Sequence, residues 1–159
     1  MKGVCLTGNR PHKMPFPENS KDCDRLKGRI CETVIGLIGD GYSHFISGMA
    51  LGADTYFAEC IIMLKKSYNI FLEAAIPFQG QSGSFDTQQK SRYQNILNAA
   101  DKITVLSEQY TKYCMVARNR YMVDSSDIVL SICYSSSGGS VSTVRYAQKK
   151  EKRIINLII

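Results

Sequence analysis

Two glycine-rich turns hold the residues best suited to chemistry on a phosphate-bearing ligand. Residues 47–54 (SGMALGAD) follow the apolar run 44–46, and residues 137–140 (SGGS) follow the apolar run 128–132. A strand that ends in glycines and opens into a helix brings backbone amides close to phosphate, with the positive end of the helix dipole behind them. Two such turns in one chain predict a nucleotide-type anion held above a parallel sheet.

The candidate ligand residues follow the predicted ends of strands, and in a parallel sheet these ends share one edge. Arg10 suits bidentate pairing with phosphate, and Asp54 suits either a ribose hydroxyl or the cap of its own helix. Phe78 suits stacking on a base or packing in the core, and Arg118 suits a ligand or contacts between helices. The predicted ligand-binding residues are Thr7, Gly8, Asn9, Arg10, Ser47, Gly48, Met49, Gly52, Ala53, Asp54, Pro77, Phe78, Arg118, Asn119, Gly138, Gly139 and Ser140.

Apolar runs alternate with segments of helical periodicity, which predicts an α/β fold. The expected architecture is a Rossmann-like three-layer sandwich: a mostly parallel sheet of about six strands with helices on both faces, in one domain spanning residues 1–159. A helix is predicted to begin near Asn19 and Ser20, another to run from Tyr110 to about Asp124, and the last to be capped by Ser140 or Ser142. The predicted strands are 4–7, 44–47, 70–76, 102–106, 128–133 and 153–158.

The composition narrows the class of protein. The 159 residues are 44% hydrophobic and 21% charged, as in globular proteins, and no run approaches the roughly 18 apolar residues of a membrane span. The N-terminus resembles a first strand rather than a signal peptide, so we expect a cytoplasmic protein. The six cysteines are scattered and His12 and His44 are isolated, which predicts no metal site. The net charge of +6 suits an anionic ligand.

The motifs together resemble the SLOG superfamily, the Rossmann-like group that includes DNA-processing protein A and the lonely-guy hydrolases. The nearest likeness is to the small YpsA/YoqJ-like proteins of bacteria and phages. The motifs that carry it are Thr7-Gly8-x-Arg10, the turn 47–54, Arg118-Asn119-x-x-Met122-Val123-Asp124 and Gly138-Gly139-Ser140. The resemblance implies a nucleotide-derived ligand and no further cofactor.

The favoured interpretation is a module that senses or sequesters a nucleotide-derived molecule, such as an ADP-ribose-like or NAD-derived compound. The alternative is a nucleotide N-glycosidic hydrolase of lonely-guy or deoxyribosyltransferase type, with Asp54 and Arg118 as candidate catalytic residues. Against it, alignment to the lonely-guy glycine motif places Arg145 where those enzymes have a glutamate, and a cation cannot act as a general base. The residues therefore favour binding over catalysis.

A third interpretation is single-stranded DNA binding along a basic segment. Such binding combines a positively charged groove with aromatic stacking platforms, and Phe16 is the only aromatic residue among the basic residues of positions 13–29. By analogy with other small Rossmann-like domains, we also expect self-association as a homodimer.

Overall fold

A computed structural model describes residues 2–159 and contains one six-stranded sheet in which every neighbouring pair of strands is parallel. The order of strands across the sheet is β4-β3-β2-β1-β5-β6. This confirms the predicted α/β class and the count of six strands. The strands are β1 (Lys2–Gly8), β2 (Tyr42–Ser47), β3 (Phe71–Ile76), β4 (Lys102–Val105), β5 (Ile128–Ile132) and β6 (Arg153–Asn156).

Five α-helices cover the two faces of the sheet. The helices α1, α2 and α3 pack side by side on one face, and α4 packs beside α5 on the other. Two short 3-10 turns, Pro11–Lys13 and Gln81–Ser84, follow β1 and β3. Among residues 2–159 no helix combines the length and the apolar character needed to cross a bilayer. The helices are α1 (Lys21–Gly39), α2 (Ala53–Leu64), α3 (Thr87–Ala99), α4 (Cys114–Asp124) and α5 (Gly139–Lys149).

Alternation along the central strand β1 divides the core between the two faces. Val4 and Leu6 point into the larger core beneath α1, α2 and α3, whereas Cys5 points into the smaller core beneath α4 and α5. Successive side chains of a strand face opposite sides, so a strand covered on both faces is apolar throughout. Residues 3–7 of β1 are accordingly all buried.

The local signals in α1 explain its predicted position. Ser20 adopts an extended backbone conformation, and its hydroxyl accepts a hydrogen bond from the Cys23 N–H at 3.1 Å, the usual arrangement of an N-cap. The apolar face that meets the sheet consists of Cys23, Leu26, Ile30, Val34 and Leu37.

Two predicted helix starts were wrong. The last helix is capped by Gly138 rather than Ser140 or Ser142, because a backbone φ of +113° at Gly138 lets the helix begin earlier. Helix α4 begins at Cys114 instead of Tyr110, and a turn closed by the bond from the Cys114 N–H to the Thr111 carbonyl precedes it.

The chain reverses its direction of travel across the sheet at β1. Strands β1 to β4 are added one after another towards one edge, and β5 and β6 are then added on the other side of β1. The loops after β1 and β5 therefore leave the sheet side by side and diverge to opposite faces. In open α/β sheets, ligands bind at such a switch point, beyond the carboxyl ends of the strands.

Candidate functional site

A cleft of about 290 Å³ lies at this switch point, at the carboxyl ends of β1 and β5. Its walls come from the loop after β1, the β2–α2 turn, the inner side of α4 and the start of α5. The sequence-predicted residues that line it are Thr7, Gly8, Asn9, Arg10, Asp54, Arg118, Asn119, Gly139 and Ser140.

Asn9 fastens three loops together at the floor of this cleft. Its side-chain Oδ1 accepts from the Tyr134 N–H at 2.6 Å, and its Nδ2 donates to Ser135 Oγ at 3.3 Å, both in the loop after β5. Its carbonyl accepts from the Ala53 N–H at 3.2 Å, at the start of α2. Asn9 is buried and its polar groups have protein partners, so its main contribution is to hold the rim of the cleft in place.

The β2–α2 turn depends on backbone conformations that few residues adopt. Gly52 has a φ of +89°, and a Cβ there would lie 2.7 Å from the Asn9 carbonyl oxygen, so a glycine is required. Met49 is in the left-handed region with a φ of 63°, which is unusual for a residue with a side chain and occurs preferentially at functional sites.

Amides of this turn are already engaged within the protein. The Met49 N–H donates to Ser47 Oγ at 3.2 Å, the Ala50 N–H donates to Asp54 Oδ2 at 3.2 Å, and the Ala53 N–H donates to Asn9. The turn therefore presents the Asp54 carboxylate to the cleft rather than these three amides.

Asp54 and Arg118 face each other across Gly48. A Cβ at Gly48 would lie 2.7 Å from Arg118 Nη1 and 2.9 Å from Asp54 Oδ2, so a side chain at this position would displace one or both of these groups. Arg118 donates from Nη1 to the Gly48 carbonyl and from Nε to Asn119 Oδ1 at 2.8 Å. Both charged side chains are about 95% buried, at 6% exposure for Asp54 and 5% for Arg118.

This burial changes the acidity of both groups. Burial raises the pKa of Asp54 from 3.8 to about 6, although Arg118, the Ala50 N–H and Arg10 each favour its charged form. Burial likewise lowers the pKa of Arg118, and the like charge of Arg10 adds to that effect while Asp54 opposes it. At neutral pH the cleft thus contains a carboxylate that is ionised but poorly solvated.

A buried hub beneath α4 holds Arg118 in position. Glu73 on β3 accepts hydrogen bonds from Tyr121 of α4, from Thr104 Oγ1 at 2.7 Å and from His44 Nε2 at 2.7 Å. Burial alone would raise the pKa of Glu73, but these three donors lower it from 4.5 to about 2. The Tyr121 contact lies one turn after Arg118 on α4 and therefore fixes the helix face that lines the cleft.

The start of α5 offers unneutralised positive charge. Its N-cap Gly138 makes no side-chain capping bond, and its first turn contains no acidic residue. The first N–H groups of a helix have no acceptor within the helix, and the dipole concentrates positive charge there. A Cβ at Gly138 would lie 2.7 Å from Lys13 Nζ, so an ammonium group also sits at this positive end.

The cations of the cleft outnumber its carboxylates. The cleft is lined by three cationic side chains, Arg10, Lys13 and Arg118, and by the carboxylate of Asp54. Among residues 2–159, no carboxylate oxygen lies within 4.0 Å of the charged nitrogens of these three cations. Arg92, outside the cleft, shows the contrast because it forms an ion pair with Glu18 at 2.7 Å. Cations gathered around an uncapped helix start produce a field that attracts a ligand of negative charge.

Several predicted site residues lie outside the cleft, and several lining residues were missed. Phe78 lines a second, adjoining cavity. Four of the missed residues of the first cleft are on the 3-10 turn after β1 and on α4, away from the strand ends, and the other three lie in β1 or in the two glycine-rich turns. Predicted residues that line neither cavity are Ser47, Gly48, Met49, Gly52, Ala53, Pro77 and Gly138. Missed residues of the first cleft are Leu6, His12, Lys13, Ala50, Met115, Met122 and Ser137.

A known protein-family profile matches nearly the whole chain. The sequence profile of the YspA SLOG family matches residues 4–157. The chain belongs to this SLOG family. A UPF0398 protein of Halalkalibacterium halodurans is 27% identical to this SLOG protein over 157 residues, which is 96% of the chain and 83% of the relative. The SPbeta prophage-derived protein YoqJ of Bacillus subtilis is 30% identical over 139 residues, which is 79% of the chain and 81% of YoqJ.

Solved structures share the fold of this SLOG protein. DNA processing protein A from Streptococcus pneumoniae superposes with a TM-score of 0.68 at 20% identity, over 98% of the chain and 50% of that protein. DNA processing protein A from Helicobacter pylori superposes with a TM-score of 0.67 at 24% identity, over 98% of the chain and 64% of that protein. The chain thus spans about half to two thirds of the length of these neighbours.

Proposed function

We propose that the protein binds a nucleotide-derived metabolite, such as an ADP-ribose-like or NAD-derived molecule, in the cleft at the switch point. The observation that carries the proposal is the distribution of charge. Arg10, Lys13, Arg118 and the uncapped start of α5 face one cleft, in which Asp54 is the single carboxylate contributed by residues 2–159.

Each group in the cleft suits one part of such a ligand. A phosphate at the start of α5 accepts hydrogen bonds from helix N–H groups and neutralises the ammonium group of Lys13. Arg10, which is exposed at the rim, supplies a second cation to the phosphate. The Asp54 carboxylate accepts hydrogen bonds from hydroxyl groups, and a ribose carries two of them.

The residues of the cleft favour binding of the ligand without turnover. Arg145, at the position of the lonely-guy glutamate, is exposed on α5 and lines neither cavity. Within the part of the chain that the structure describes, Asp54 is the one carboxylate lining the cleft. Most glycoside hydrolases use a pair of carboxyl groups that flank the bond.

Single-stranded DNA is the second candidate ligand. The solved structure from Helicobacter pylori concerns a single-stranded DNA binding mode of DNA processing protein A. A strand of DNA repeats the phosphate of the proposed metabolite, so the phosphate end of the same cleft suits one of its units, but its deoxyribose lacks the pair of hydroxyl groups that Asp54 would bind. Part of the basic segment is already neutralised, because Lys27 pairs with Glu18 at 2.8 Å and Arg25 pairs with Asp22 at 3.5 Å.

Isothermal titration calorimetry with AMP, ADP-ribose and adenosine tests the proposal. We expect AMP and ADP-ribose to bind more tightly than adenosine, and Lys13→Gln to weaken both nucleotides about tenfold while leaving adenosine unchanged. A hydrogen bond to a charged group contributes roughly 1.5–3 kcal/mol, which corresponds to tenfold or more in affinity.

The matched control is Lys21→Gln, which removes an exposed lysine at the start of α1 that lines neither cavity. Equal weakening by both variants, or adenosine binding as tightly as AMP, would overturn the phosphate site. Chromatography of the same samples after long incubation checks for release of free adenine, which would contradict binding without turnover.

A further inference from the structure

A second cavity of about 330 Å³ adjoins the first cleft. It lies between the β2–α2 turn, the loop after β3 and the segment that precedes α4. The two cavities share the lining residues Arg10, His12, Ala50 and Met115, so a single ligand can extend from one into the other. Ligand pockets for small molecules usually measure roughly 300–1,000 Å³, and each cavity alone is at the lower end of that range.

The rings of Phe78, Phe85 and Tyr110 line this second cavity. Phe78 and Tyr110 meet edge to face, with ring centroids 5.4 Å apart and an angle of 85° between the rings. Phe85 is supported from behind by Tyr93 at 5.6 Å. Tyr110 remains 65% exposed, so an aromatic surface at the mouth of the cavity is still available to a ligand.

Gln81 is a buried polar group on this aromatic wall. Its Nε2 donates to the Gly48 carbonyl at 3.1 Å, and its Oε1 accepts from the Tyr93 hydroxyl at 3.0 Å, so the orientation of the amide is determined. A carboxamide has two N–H groups and two lone pairs, which leaves one donor and one acceptor after these bonds. A paired donor and acceptor of this kind is how Gln and Asn bind the edge of a base.

We propose that the second cavity binds the nucleobase of the ligand, stacked on Phe78 and Tyr110 with its polar edge at Gln81, while the phosphate occupies the first cleft. This inference rests on the proposed function and adds to it the class of the ligand, a nucleotide unit with its base attached. The order of phosphate, sugar and base in the proposed ligand follows the order of the residues along the two cavities. The α5 end of the first cleft receives the phosphate, Asp54 between them faces the sugar, and the aromatic rings receive the base.

The aromatic chemistry favours a base over an aliphatic group. Bases stack on aromatic side chains, and removal of one such ring costs roughly 1–3 kcal/mol per base, or about tenfold in affinity. Arg10 at the junction of the two cavities adds a planar cation, which stacks on a base or pairs with a phosphate equally well.

The experiment compares AMP with ribose 5-phosphate on the intact chain by calorimetry. We expect AMP to bind at least tenfold more tightly than ribose 5-phosphate. Phe78→Ala and Tyr110→Ala should each weaken AMP about tenfold and leave ribose 5-phosphate unchanged. Tyr113→Ala is the matched control, because Tyr113 is 69% exposed like Tyr110 but lines neither cavity.

The outcomes separate the two proposals. Equal affinity for AMP and ribose 5-phosphate, with no effect of Phe78→Ala or Tyr110→Ala, overturns the base site and leaves the phosphate site intact. Failure of both compounds to bind the wild-type protein overturns the proposed function, and the base site with it. A loss of AMP affinity in Tyr113→Ala equal to that in Tyr110→Ala also overturns the base site, because the effect would then not depend on the cavity.

Discussion

Asp54 carries a charge that its buried position makes unfavourable. Its carboxylate closes the β2–α2 turn through the Ala50 N–H, yet burial makes its charged form unfavourable. Arg118 lies close by without forming an ion pair within 4.0 Å. A ligand hydroxyl that donates to Asp54 would supply part of the solvation that this carboxylate loses on burial.

The raised pKa of Asp54 predicts that the stability of the protein depends on pH. The pKa of Asp54 is raised in the folded state from 3.8 to about 6, so its contribution to stability is complete below pH 3.8 and is lost as the pH rises through 6. The free energy of unfolding of the wild type should therefore fall relative to that of Asp54→Asn between pH 4 and pH 6, by up to about 3 kcal/mol. Urea denaturation of both proteins across this range measures the difference, and parallel pH profiles would contradict the raised pKa.

At the scale of elements, α4 connects the cleft to the sheet. Its Tyr121 donates to Glu73 on β3, and the same helix presents Arg118 and Asn119 to the cleft. The helix face that lines the cleft is thus tied to the sheet by a hydrogen bond to a buried carboxylate, in addition to the packing of α4 against α5. Hydrogen bonds to charged groups are the ones whose loss costs most.

Tyr121→Phe removes this bond while preserving the ring. We expect it to lower the free energy of unfolding by about 1–3 kcal/mol, since Glu73 keeps its bonds to His44 and Thr104 but loses its third donor. Tyr113→Phe, at an exposed position on the N-terminal side of α4, should change stability by less than about 0.5 kcal/mol. Chemical denaturation of the two variants measures both values, and an equal effect would show that Tyr121 does not anchor the helix.

The elements that could be predicted from sequence are those whose signals are local. The buried strand β1, the Ser20 cap and the apolar stripe of α1 depend on residues a few positions apart. The start of α5 could not be placed because it depends on the φ of Gly138, and two nearby serines offered more familiar caps. Lys13 and Gln81 were missed as site residues because 3-10 turns carry them back over the strand ends, a path that sequence periodicity does not encode.

For the whole molecule, the order of strands brings sequence-distant groups to one place. Lys13 follows the first strand and Gly138 precedes the last helix, yet they meet because β1 pairs with β5 at the centre of the sheet. The cations that line the cleft lie together at the switch point, whereas Lys27 and Arg92 on the flank are paired with carboxylates. A cleft of about 290 Å³ suits one nucleotide unit better than a long strand of DNA.

The small size of the cleft predicts how DNA binding depends on salt concentration and on the length of the strand. For single strands, the logarithm of affinity falls with the logarithm of salt concentration by about 0.7 per phosphate contacted. A cleft that holds one nucleotide unit should give a slope of about −1 to −2 for both a 5-nucleotide and a 20-nucleotide oligodeoxythymidylate, because the added phosphates lie outside the cleft. A continuous DNA track would instead give a slope steeper than about −3 for the longer strand, since its phosphates would release counterions along the whole surface. Fluorescence anisotropy between 50 and 200 mM salt, roughly the range over which such slopes are resolved, decides between them.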